Sequence, residues 1–185
     1  MGNMYHIERK HIKIVVILSS IVLLFAVGTF LLVSPYSPFT GLQNDLKSIE
    51  PSLESSYLDL DGNPVFLSSM KGKSLIVNSW ASWMPFSKDE LVLLNELKVK
   101  YGDSIQILAI NRMEDRELVK SYLDIYSIEK NITFLIDPTD NFYRAIGGYA
   151  MPETVFYTSD GTLSTHKRGV LTAEELETYT KNILE

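Results

Sequence analysis

Twenty consecutive residues near the start of the chain, Ile14 to Val33 (IVVILSSIVLLFAVGTFLLV), carry no charge. As a helix rising about 1.5 Å per residue, such a run spans roughly 30 Å, the thickness of a bilayer's hydrocarbon core. A helix of that length in a globular core would carry a polar stripe. This one offers only Ser19, Ser20, Gly28 and Thr29. Arg9, Lys10 and Lys13 lie just before it, and no basic residue follows until Lys47. The positive-inside rule then predicts a cytoplasmic N-terminus at 1–13, a single-pass membrane anchor at 14–33, and an extracytoplasmic remainder. The small residues of Ala26–Gly28 also fit a signal-peptidase site. The apolar run continues past them through TFLLV, which suits an uncleaved signal-anchor better. Residues 34–50 contain Pro35 and Pro38 and show little periodicity, so they read as a linker.

Charge and cysteine usage narrow the chemistry. The formal net charge is −6, and residues 1–13 hold +2 of it, leaving −8 on everything that follows. Such an acidic domain lacks the clustered Lys and Arg that a phosphate backbone requires, so nucleic acid is not an expected partner. The chain has no cysteine. It therefore has no disulfide framework, no thiolate nucleophile and no Cys-ligated metal.

From residue 51 to residue 185, strand and helix patterns alternate. SSYLDL and PVFLSS flank the turn signal DGN. SLIVNSW, Ser74 to Trp80, has the form of a buried central strand, with Trp80 in the core. Pro85 suits the first turn of the helix that follows. Leu91, Leu94, Leu97 and Tyr101 share a face of that helix, and Gly102 ends it. SIQILAI is a second buried strand, followed by a helix with Leu118, Tyr122, Ile125 and Tyr126 on one face. ITFLID is a third strand and TDNFYRAIG a short helix. ETVFYTS and LSTHKRG form a hairpin across Asp160–Gly161. Thr172 and Glu175 make a capping box for a last helix carrying Leu176, Tyr179 and Ile183. This order predicts an α/β layer fold with a mixed central sheet. Asp59 to Asn63 (DLDGN) lacks the glycine and distal glutamate of a calcium loop at the required places and reads as a turn.

Three segments carry a resemblance: KGKSLIVNSWASW (Lys71 to Trp83), YAMPETVFYTSDG (Tyr149 to Gly161) and GVLTAEEL (Gly169 to Leu176). In this order and spacing they resemble the thioredoxin fold. More narrowly, they resemble the membrane-anchored TlpA/ResA/DsbE-type thiol–disulfide oxidoreductases and the wider redoxin group, over roughly residues 52–184. The resemblance implies a cis peptide bond before Pro152. It also implies a redox motif, Trp-Cys-x-x-Cys, where this chain has Trp83-Met84-Pro85-Phe86-Ser87. Attack on a disulfide needs a thiolate, and release of the mixed disulfide needs a second thiol. Met84 cannot ionise, and Ser87 cannot form a disulfide. The family's reaction is not available, and no catalytic residue or cofactor is assigned.

Other uses of the site can be weighed. A Ser87 nucleophile needs a base within reach, and His166 is the sole histidine beyond the anchor. The resemblance sets Met84 opposite Met151. Two thioethers suit Cu(I), but they form a thin ligand set and methionine is also a common core filler. The resemblance also implies a groove in which polypeptide lies across the motif beside the cis-proline. Here Trp83, Met84, Pro85, Phe86, Ser87, Met151, Pro152 and Glu153 would line it, with Glu153 polar or facing a partner. The expectation is a redox-inactive, membrane-anchored module that binds a polypeptide or membrane-protein partner. The alternatives are an accessory component of a thiol–disulfide pathway in cytochrome or envelope-protein maturation, a Met84/Met151 copper site, and a closed structural remnant.

Overall fold

The computed structural model describes residues 55–185. The expected cytoplasmic N-terminus, anchor, linker and residues 51–54 lie outside the described residues. The described part opens with β1 (Ser56–Asp59) and β2 (Pro64–Phe66), an antiparallel hairpin. The Asp59 carboxylate accepts the N–H groups of Asp61 and Asn63 at 2.9 and 2.8 Å, and Gly62 takes φ +90. DLDGN is thus a self-bonded Asx turn. The second strand is shorter than the apolar pattern predicts. Ser69 Oγ donates to the Phe66 carbonyl, and Leu67–Met70 coils into a 3-10 turn that buries Leu67. A local side-chain bond has displaced the ladder there.

β3 (Ser74–Trp80) is buried along its whole length. It leads through a turn into α1 (Ser87–Tyr101). Pro85 lies before this helix and not in its first turn. Ser87 N–H donates to the Met84 carbonyl at 3.1 Å, closing a tight turn with Pro85 in second place. That position is set up by proline's fixed φ. Leu91, Leu94 and Leu97 are buried as their spacing predicts, and Gly102 ends the helix at φ +53.

β4 (Ile105–Arg112), α2 (Arg116–Ile125), β5 (Thr133–Asp137), α3 (Asn141–Ala145), β6 (Glu153–Tyr157), β7 (Leu163–Arg168) and α4 (Ala173–Leu184) complete the order. The capping box at Thr172 and Glu175 is formed. The predicted face of α2 is displaced. Val119 and Leu123 are its buried residues, while Leu118, Ile125 and Tyr126 are exposed. The phase is set by Tyr122, whose ring lies 5.5 Å from that of buried Trp80. Beyond it, Ser127 at φ +50 turns the chain, and Ile128 fills the core in place of Ile125.

The strands form one mixed sheet in the order β2-β1-β5-β4-β3-β6-β7. β3, β4 and β5 run parallel, and the other pairings are antiparallel. Alternate side chains enter two cores. On one face, Ile76, Trp80, Ile107 and Phe156 meet Leu91 and Leu94 of α1, Val119 of α2 and Leu176 of α4. On the other, Val77, Leu108, Ile110 and Val155 meet Leu67 and Phe142 of α3. This is the three-layer thioredoxin-like arrangement.

Candidate functional site

The site is built at one end of the sheet by two segments. One is the corner Ala81–Phe86, which leaves the C-terminal end of parallel strand β3, the end where open α/β sheets bind ligands. The other is Tyr149–Pro152, which enters antiparallel β6. Ser79 pairs with Glu153 across these strands, so the register sets the two segments side by side. The Met151–Pro152 peptide bond is cis.

In the first segment, Trp83 is 60% exposed and Phe86 52%, Pro85 is exposed and Met84 half-buried. Glu114, beyond β4, anchors the corner: its carboxylate accepts Ser82 N–H at 2.8 Å, Ser82 Oγ at 2.5 Å and Asn111 Nδ2 at 2.6 Å. Ser87 opens α1 fully buried, and its hydroxyl has no hydrogen-bond partner among the described residues.

In the second segment, Tyr149 is 77% exposed, Met151 half-buried and Pro152 buried. Glu153, expected to be polar or to face a partner, is fully buried. Its Oε1 accepts the N–H groups of Tyr149 and Ala150 at 2.8 and 2.7 Å, and its Oε2 lies 2.6 Å from His166 Nε2. Burial pushes the Glu153 carboxyl up. The bonds from His166, Ala150 and Tyr149 outweigh that and hold it below the usual carboxylate range.

Behind this segment, Tyr143 Oη donates to the Ala150 carbonyl at 2.9 Å, and the Arg112 guanidinium lies 3.4 Å from the Tyr143 ring centre. Gly148 passes beneath that ring, where an added Cβ would meet Tyr143 Cε2 at 2.4 Å. With Arg112 on the ring as well, the tyrosine has little room to yield. Gly148→Ala is therefore expected to destabilise the protein by about 1–3 kcal/mol. A urea unfolding midpoint indistinguishable from the parent's would show that the ring moves freely.

A second buried carboxylate lies on the α1 face of the sheet. Glu90 Oε1 accepts Asn78 Nδ2 at 2.8 Å and Thr154 Oγ1 at 2.9 Å, and Oε2 lies 3.4 Å from Leu171 N. Burial pushes this carboxyl up to about 7, against the opposing effects of Thr154, Leu171 and Lys167.

The sheet separates Ser87 from its candidate base. Thr154 reaches Glu90 on the α1 face, so Glu153, next along the strand, points to the opposite face. His166 bonds Glu153 there, and so offers nothing to Ser87. Among the described residues, no group of three or more His, Cys, Asp or Glu side chains is arranged to hold a metal, so Met84 and Met151 gain no such set of co-ligands.

The sequence reading missed Glu90, Glu114 and the Arg112–Asp140 pair. Two signals were available. Asn78 interrupts an apolar strand, and Glu90 falls in register with Leu94 and Leu97 on the apolar face of α1. Nothing in the sequence marks Glu114 or Arg112, which bond Ser82 and Asp140 of distant segments.

A protein from Bacillus thuringiensis subsp. konkukian (strain 97-27), named thiol-disulfide oxidoreductase ResA, is 29% identical over 126 residues, covering 68% of this chain and 72% of its own. The protein of that name from Bacillus thuringiensis (strain Al Hakam) is 28% identical over 168 residues, covering 87% of this chain and 96% of its own. Among solved structures, a secreted Mycobacterium tuberculosis disulfide oxidoreductase homologous to E. coli DsbE superposes with a TM-score of 0.64 at 23% identity, over 72% of this chain and 98% of its own. That likeness is one of fold. The Redoxin family model matches residues 45–183. On that match and its fold, this cysteine-free chain belongs to the Redoxin family.

Proposed function

We propose that the protein is a membrane-anchored, extracytoplasmic module that binds an extended, apolar polypeptide segment and performs no thiol–disulfide exchange. The observation that carries this reading is the exposure of Trp83 and Phe86 at 60% and 52%, beside the cis-proline segment, on a domain whose other tryptophan is wholly buried. Large aromatics left at the surface around a fixed backbone corner suit a contact surface. Half-buried Met84 and Met151 add side chains that adapt to varied apolar partners. With Met84 and Ser87 at the two thiol positions, neither attack on a disulfide nor resolution of a mixed disulfide has a nucleophile. Membrane attachment through Ile14–Val33 would keep the surface close to the bilayer.

Two measurements test this reading. The purified protein is expected to show no disulfide reductase turnover, and activity above a protein-free blank would overturn the redox part. For binding, a photocrosslinking residue is placed at Met84 and, as a control, at exposed Asn182 of α4, in native membranes. Capture of one discrete protein from position 84 alone is expected, with competition by an unlabelled apolar peptide. Equal capture from both positions, or none from either, would remove the binding assignment.

A further inference from the structure

We propose that Glu153 is the positioning residue of the groove, fixing the Tyr149–Met151 wall and itself fixed by His166. This rests on the polypeptide-binding reading above.

The geometry separates a peg from what hangs on it. Glu153 sits in β6 between two partner strands, paired with Ser79 on one side and Arg168 on the other. Its backbone is thereby fixed by the sheet. Its side chain is fully buried and turns back to hold the two consecutive N–H groups of Tyr149 and Ala150 at 2.8 and 2.7 Å. Hydrogen bonds to an ionised carboxylate are short and strong. The other oxygen is tied to His166 at 2.6 Å, with Arg168 Nε at 3.9 Å. These cationic or donor groups from β7 compensate a charge that burial alone would penalise. Tyr143 of α3 holds the Ala150 carbonyl.

The segment thus has its N–H groups pinned to the sheet and a carbonyl pinned to α3. It then presents exposed Tyr149 and half-buried Met151 beside the Trp83–Phe86 corner. The bonds of the Glu153 carboxylate are all spent on backbone and on His166, which is a positioning task. A groove held in its binding conformation saves the cost of ordering on binding.

The test is hydrogen exchange on the full chain in detergent micelles, read by mass spectrometry over peptides spanning 147–152. Glu153→Ala is expected to speed exchange of the Tyr149 and Ala150 amides by about tenfold or more, with β3, β4 and β5 unchanged, because local opening no longer breaks two bonds. Glu153→Gln keeps an acceptor for both N–H groups and should restore most of the protection, which a role for the charge alone would not predict. If Glu153→Ala exchanges rapidly throughout, as an unfolded chain would, His166→Ala decides. It leaves β6 intact and should loosen the same two amides. Unchanged exchange there, or in a folded Glu153→Ala, overturns the proposal.

Crosslinking from Met84 in the same variants separates the two readings. Capture lost in Glu153→Ala and regained in Glu153→Gln supports the positioning role. Full capture despite a loosened segment overturns it and leaves the binding reading standing. If the parent chain captures nothing, the binding reading fails and with it the role in a groove, whatever the exchange shows.

Discussion

Replacing Arg112 with methionine is expected to cost about 3–5 kcal/mol of stability, because it strands a nearly buried carboxylate. Arg112 Nε and Nη2 each meet an Asp140 oxygen at 2.6 Å, a bidentate pair whose side chains are 14% and 9% exposed. The guanidinium also covers the Tyr143 ring, a contact of about 1 kcal/mol. The two effects are linked, since Tyr143 carries the bond to Ala150. The measurement is a urea unfolding curve followed by tryptophan fluorescence, with a lower midpoint and unchanged slope. Arg112→Met combined with Asp140→Asn should recover at least half the loss, because the double change leaves no uncompensated charge. A loss below about 1 kcal/mol would mean that the pair behaves as a solvent-screened surface bridge.

Glu90 should make the protein less stable as the solution is raised from mildly acidic to neutral pH. Its carboxyl titrates at about 7 when folded, against an ordinary value of 4.5. Between those values the folded state binds more protons than the unfolded state, so unfolding releases protons and stability falls as pH rises. A displacement from 4.5 to about 7 corresponds to roughly 3 kcal/mol lost across that window, at 1.36 kcal/mol per unit. Above about pH 7 this contribution is flat. Glu90→Gln keeps an oxygen for Asn78 and Thr154 and has no charge to bury. The variant should lack this fall, and should exceed the parent's stability at pH 8 by about 1–3 kcal/mol. Parallel stability–pH curves for parent and variant between pH 4.5 and 7.5 would show that Glu90 does not hold its proton as its burial implies. The corner Ala81–Phe86 leads directly into the helix carrying Glu90, so the same variant tests whether a neutral hydrogen-bonding side chain suffices to seat α1.

Much of the architecture was legible because it follows from local chemistry. The alternation of apolar runs and helical stripes gave the element order. Gly102, the Asp160–Gly161 turn and the Thr172–Glu175 box marked ends and corners by mechanisms that act within a few residues. Where local cues competed, the reading slipped. Leu118, Ile125 and Tyr126 of α2 have the right spacing for a buried face, yet the stripe is chosen by contact with Trp80 and Phe134, which are distant in sequence. Pro85 is compatible both with a first helical turn and with the turn before it, and the bond from Ser87 to Met84 selects the latter.

The sequence by itself determined which chemistry is absent and where the unusual surface would lie. A chain without cysteine has no thiol at residues 84 and 87 in any conformation, and Trp83 to Phe86 are apolar wherever they are set. Only the tertiary structure decided what the carboxylates do. Glu90, Glu114 and Glu153 are three acidic residues alike in sequence. One is buried among Asn78, Thr154 and Leu171, one anchors Ser82, and one holds Tyr149 and Ala150. The state and role of an ionisable group depend on its desolvation and on the donors around it. Tyr149 and Ala150 lie within four residues of Glu153, but Thr154 and Leu171 at Glu90, Ser82 at Glu114 and His166 at Glu153 come from strands and loops farther along the chain, which the fold alone brings together.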